Sequence, residues 1–192
     1  MNNVTRTSSV FFIKTLYSLF VSFFCLFTNQ SFPFIPIQIT LVDACIEAYP
    51  SFLSILESDT RKIDGSFLKK ALKNAFPFAI GITIMIAIIS LWKPFSLNEN
   101  DNMMYFFLIL VSITAVIKSC IPFNYLRIFI CITMPLGIFI ALILFPNLFM
   151  ISFVHKKMVE YLICAFAIFL LFLYFISKKG ELHAFKEKNV SI

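Results

Sequence analysis

Apolar residues run in long blocks along this chain, and breaks rich in charge, Pro or Asn cut them into six. The blocks fall at 9–28, 35–56, 76–92, 103–117, 125–145 and 161–176. A helix needs about 20 apolar residues to cross a bilayer, with a range near 17–25. Each block therefore predicts a membrane-spanning helix. The fourth and sixth blocks are short, so their helices are expected to extend into the flanking polar sequence. The first ends in Asn29-Gln30 and has no small-residue cleavage site, which makes it a span and not a secretory signal. The fold class that follows is all-α integral membrane, with six transmembrane helices.

The second block carries the chemistry. Asp43 and Glu47 stand one helical turn apart between Pro36 and Pro50. At 100° per residue, Ile39, Asp43, Ile46, Glu47 and Pro50 share one face. An ionised acid in hydrocarbon costs at least about 2.5–3.5 kcal/mol, so two on one face point to a task. Pro50 has no N–H for the carbonyl of Ile46, and its ring pushes that turn open. Carboxylates with a freed carbonyl replace the hydration shell of a hard cation, and broken helices at mid-membrane serve as ion sites. The candidate cation ligands are Asp43, Glu47, the Ile46 carbonyl and the Thr40 hydroxyl. Cys45 points away. The structural alternative is that the two acids are protonated or hydrogen-bonded to neighbouring helices.

Lys14 lies inside the first block and admits two readings. It snorkels to the interface, or it is a built-in counter-ion to Asp43 or Glu47. Pairing lowers the site's charge from −2 to −1 and favours a monovalent ion or a proton. Snorkelling leaves two negative charges to neutralise a divalent ion.

Composition agrees with the pattern. Of 192 residues, 60% are hydrophobic, against about 45–50% in a soluble domain. The 26 Phe residues suit helix surfaces that face lipid. The net charge of +6 does not indicate nucleic acid, because the basic residues flank spans and form no aromatic-interleaved patch. The five cysteines are scattered, with no CxxC and no Cys-Pro-Cys, which disfavours soft-metal transport. Basic residues also set the orientation. Arg6, Arg61, Lys62, Lys69, Lys70, Lys73, Lys118, Arg127, Lys178, Lys179, Lys186 and Lys188 fall on one side, and Lys93, Lys156 and Lys157 on the other. Both termini are thus expected in the cytoplasm. The organisation expected is a cytoplasmic stub at 1–8, a six-helix transmembrane domain at 9–178 and a cytoplasmic tail at 179–192. The tail is too short and too charged to fold alone, and the location is the cell membrane.

The stretch Pro36-Ile-Gln-Ile-Thr-Leu-Val-Asp-Ala-Cys-Ile-Glu-Ala-Tyr-Pro50 resembles the sixth transmembrane helix of bacterial-type P-type cation-transporting ATPases. That family shows Pro-x-Gln, an Asn or Asp, an acid four residues on, and a Pro. Glu57-Ser-Asp-Thr-Arg-Lys-Ile-Asp-Gly-Ser-Phe67 looks like the cytoplasmic loop after that helix. Asn2-Asn-Val-Thr-Arg-Thr-Ser-Ser-Val-Phe-Phe-Ile-Lys-Thr-Leu-Tyr17 is similar to the start of the family's fifth helix. The resemblance covers residues 2 to 75; beyond them only span number and spacing agree with the last four helices. It implies helices five to ten of a pump, with Asp43 and Glu47 matching the sixth-helix ion ligands. Ile46 stands where calcium pumps carry a Thr. No fifth-helix acid or amide is present, and Lys14 falls in that neighbourhood. The span at 103–117 has no counterpart of the eighth-helix carboxylate.

The chain has no Asp-Lys-Thr-Gly-Thr phosphorylation motif, no Thr-Gly-Glu loop and no Gly-Asp-Gly-x-Asn-Asp hinge. No ATP hydrolysis is expected from it alone, and ATP and Mg are implied only for the N-terminal ATPase part of such a pump. Its expected partners are that part, the transported cation and the lipid bilayer. The alternative is a free-standing, non-enzymatic six-span protein: a secondary carrier, channel or partner subunit. A carrier should show paired inverted repeats with matching broken helices, whereas one broken helix is evident.

Overall fold

In the computed structural model, residues 3–54, 56–57, 67–151 and 154–190 are described, and their regular structure is entirely helical. Helix α1 (Asn3–Thr28) closes at Asn29, whose φ of 51° is left-handed. The Gln30 N–H then returns to the Cys25 carbonyl at 3.0 Å, the bond that ends a helix in a Schellman turn. The polar break that ended the first apolar block is thus a helix stop.

The second block is broken, as its prolines predict, and the break is π-helical. The break expected before Pro50 takes the form of three abutting pieces: α2 (Pro36–Val42), a π-helical segment (Asp43–Ala48) and α3 (Tyr49–Ser54). The Tyr49 N–H reaches back five residues to the Ala44 carbonyl. Pro50 supplies the reason: with no N–H to continue the four-residue ladder, the turn before it widens. The broken helix still has the reach of a span, roughly 28 Å at about 1.5 Å per residue.

Helices α4 (Phe67–Trp92), α5 (Leu97–Ser119), α6 (Tyr125–Leu144) and α7 (Lys156–Val190) follow. With α1 from Thr7 and α7 as far as Lys178, these make five helices long and apolar enough to cross a membrane. The protein is an all-helical integral membrane protein. The short fourth block grows into α5 because Ser96 and Glu99 cap its start: the Ser96 N–H donates to Glu99 Oε2 at 3.1 Å. Asn124 caps α6 by accepting the Arg127 N–H at 2.9 Å.

Helix α4 begins at Phe67, well before the apolar block at 76, and takes Pro77 into its length. Helix α7 continues through the tail to Val190, where Lys and Glu are good helix formers. Residues 1–2, 58–66 and 191–192 lie outside the described residues. With them go Arg61, Lys62, parts of the stub and tail, and most of the loop at 57–73. The side chains of Arg6, Lys179, Lys186 and Lys188 also lie outside.

The core is built around α5, which brings Tyr105, Phe107, Leu108, Ile109 and Val111 to near-complete burial. Helices α1 and α4 pack together along their lengths and both lie against α5; α7 closes on α4 and α5, and the broken helix contacts α1, α5 and α6. Outward-facing Leu26, Phe27, Ile143, Leu144 and Phe175 are largely exposed, as lipid-facing surfaces require. One close approach matters: a Cβ on Gly81 of α4 would stand 2.3 Å from the Phe169 ring of α7.

Candidate functional site

The π-helical segment carries both acids. It begins at Asp43 and contains Glu47, so the break falls between the two carboxylates as well as before Pro50. Wide turns of this kind are frequent at functional sites.

Lys14 of α1 reaches across to the break. Its Nζ lies 2.5 Å from Asp43 Oδ2, a charge-assisted contact. Of the two readings open for Lys14, the geometry is that of the pair. The other carboxylate oxygen, Asp43 Oδ1, is buried and has no hydrogen-bond partner among the described residues. Glu47 is half-buried within electrostatic reach of both Lys14 and Asp43. Its carboxylate makes no hydrogen bond or ion pair among the described residues. Tyr17 adds a buried hydroxyl, also without a hydrogen-bond partner there, close enough to feel both acids. Sequence reasoning missed Tyr17; its position three residues after Lys14, on the same helix face, is the signal that points to it.

The remaining expected ligands lie differently. The Ile46 side chain is buried, and its carbonyl is the one Pro50 leaves without a ladder N–H. Thr40 is exposed and gives its hydroxyl proton to the Pro36 carbonyl at 2.9 Å, so it is turned along its own helix. No group of three or more His, Cys, Asp and Glu gathers to hold a metal among the described residues. The described residues thus bring together two carboxylates and a tethered ammonium.

Anchors hold the broken helix at both ends. At its start the Gln38 side chain is buried: its amide donates to the Phe149 carbonyl at 3.0 Å, its Oε1 accepts the Ile35 N–H, and its main-chain carbonyl accepts the Tyr105 hydroxyl at 3.1 Å. In the middle the Tyr49 hydroxyl bonds the Thr133 hydroxyl of α6 at 2.7 Å. At its far end Glu57 forms a two-pronged ion pair with Arg127. Neither Gln38, as an anchor, nor the Arg127–Glu57 pair was foreseen from spacing, because their partners lie 67 to 111 residues away.

A multi-pass membrane protein with an acid pair on a broken helix is the class that fold and site define. In an alignment 159 positions long that covers 77% of the chain, it is 29% identical to the probable cation-transporting ATPase exp7 of Streptococcus pneumoniae serotype 4 (strain ATCC BAA-334 / TIGR4). It spans 20% of that protein's length. No protein-family model matches the chain, and no solved structure matches it. Most of the chain is thus similar to one fifth of a cation-transporting ATPase, and its five long apolar helices make it a multi-pass membrane protein.

Proposed function

We propose that this chain is the membrane part of a P-type cation pump, corresponding to helices five to ten, and that it binds and translocates a cation at Asp43 and Glu47. The observation that carries this reading is the Lys14–Asp43 pair at 2.5 Å on a π-helical break, with the other Asp43 oxygen unpartnered and Glu47 one turn away. An acid pair without a task in this position would carry the cost of burial for nothing. With Lys14 paired to Asp43, the site has a net charge of −1. That charge matches a monovalent cation or a proton better than a divalent ion.

In the pump, phosphorylation on the N-terminal ATPase part, using ATP and Mg, drives the helices between two accessibilities. The stretch at 57–73, whose last residues form the start of α4 and not a loop, is the surface on which that part acts. The basic residues place both termini in the cytoplasm, with 1–8 as a stub, 9–178 as the six-helix membrane domain and 179–192 as the tail.

The test is Glu47→Gln in the pump reassembled from both parts. Ion-stimulated phosphorylation should be lost, and unchanged ion dependence would remove Glu47 from the site.

A further inference from the structure

The two ends of the broken helix are unequal. Across and beyond Pro50, two serine hydroxyls and one backbone amide reach back three or four residues at a time. The Ser51 hydroxyl donates to the Glu47 carbonyl, across the proline. The Ser54 hydroxyl donates to the Ser51 carbonyl at 2.7 Å, and the Glu57 N–H to the Ser54 carbonyl at 3.2 Å. Glu57 then grips Arg127 through both carboxylate oxygens.

Arg127 is itself fixed. It is 6% exposed, and its Nη1 donates to the Pro122 carbonyl at 2.5 Å. Asn124, which caps the helix carrying Arg127, also donates to Glu57 Oε1 at 2.9 Å. A run of hydrogen bonds therefore leads without interruption from the start of α6 to the residue that bears the second carboxylate of the site. Beside it lies a cavity of about 30 Å³, lined in part by Ser51, Ser54, Ser119 and Arg127. That is space for about one water.

We infer that Arg127 is a positioning residue for Glu47: through Glu57, Ser54 and Ser51 it sets the turn on which the Glu47 carboxylate is carried. A planar guanidinium held in a two-pronged pair fixes both distance and orientation, which a point charge does not. Glu57 opens the connection that leads to α4, so a pull on that connection meets this clamp before it meets the ion site. The inference rests on the reading of Glu47 as part of the cation site.

The experiment uses the full chain in lipid nanodiscs and the hydrophobic probe dicyclohexylcarbodiimide, which modifies carboxyl groups in apolar surroundings. Mass spectrometry reads the labelling rate of Glu47 separately from that of Asp43. Arg127→Gln and Glu57→Gln should each change the Glu47 rate about fivefold or more, the lower end of coupling between linked sites. Their effects should not add, since both break one chain. The swap Arg127→Glu with Glu57→Arg should restore most of the original rate.

If Arg127→Gln does not fold, Arg127→Lys keeps the charge, loses the fork, and should still move the Glu47 rate. A lowered unfolding midpoint with an unchanged Glu47 rate in the folded protein would make Arg127 purely structural and overturn the inference. Sodium, potassium and calcium are tested for protection of Glu47 in the same assay. Absence of protection by any of them counts against the cation reading and leaves the coupling result standing on its own.

Discussion

At the scale of single residues, the protein turns on one lysine. Lys14 and Asp43 are 29% and 33% exposed at their side chains, on helices whose outer surfaces are apolar. Neither charge has bulk water to fall back on. Lys14→Met leaves Asp43 alone and is expected to lower stability against detergent unfolding by about 2–3 kcal/mol. Adding Asp43→Asn should recover most of that loss, and the unfolding midpoints of the four proteins measure it. In a working pump, Lys14→Met should also shift preference toward a divalent ion, because the site's charge falls to −2. The sequence left this lysine with two readings since depth along one helix does not say which neighbour faces it. Only the α1 packing against the broken helix brings Nζ and Oδ2 together.

At the scale of elements, the broken helix is where local sequence and the proposed site meet. Pro36 opens it, Pro50 widens it, and the acids occupy the wide turn. Pro50→Ala returns an N–H to position 50 and should tighten the π-helical segment toward an α-helix. Stability is expected to rise by up to about 3 kcal/mol, while ion-stimulated phosphorylation falls; the unfolding midpoint and the phosphorylation assay check the two halves. Such a trade is the usual cost of a strained site. The location of this break was legible because proline's chemistry is local. Its π-helical form was not, because a proline is equally compatible with a simple kink.

At the scale of the molecule, packing decides how the helices meet. Gly81 lets α4 approach Phe169 of α7, and Gly81→Ala places a methyl inside that ring's contact distance. A loss of about 1–3 kcal/mol is expected, visible as a lowered unfolding midpoint and relieved in part by Phe169→Leu. Gly137→Ala on α6 meets nothing within 4 Å and should be neutral or slightly stabilising. The orientation has its own test in a background without the five native cysteines. A membrane-impermeant maleimide should label Asn98→Cys in intact cells, and Phe123→Cys only after permeabilisation. The reverse pattern would invert the assignment of sides.

Several features were set by the sequence alone: a helical membrane protein, the acids at 43 and 47, the stop at Asn29 and the break before Pro50. Each of these depends on hydrophobic length, helical period or the backbone chemistry of one residue, and all three are written in neighbouring positions. Tertiary structure decided the rest. It chose the partner of Lys14, turned Thr40 along its own helix, brought Tyr17 to the acids, and joined Arg127 to Glu57 across 70 residues. It also made α5, the least apolar of the five spanning segments, the buried pillar of the bundle. Those outcomes depend on which faces meet, and helix period fixes a face without naming its neighbour.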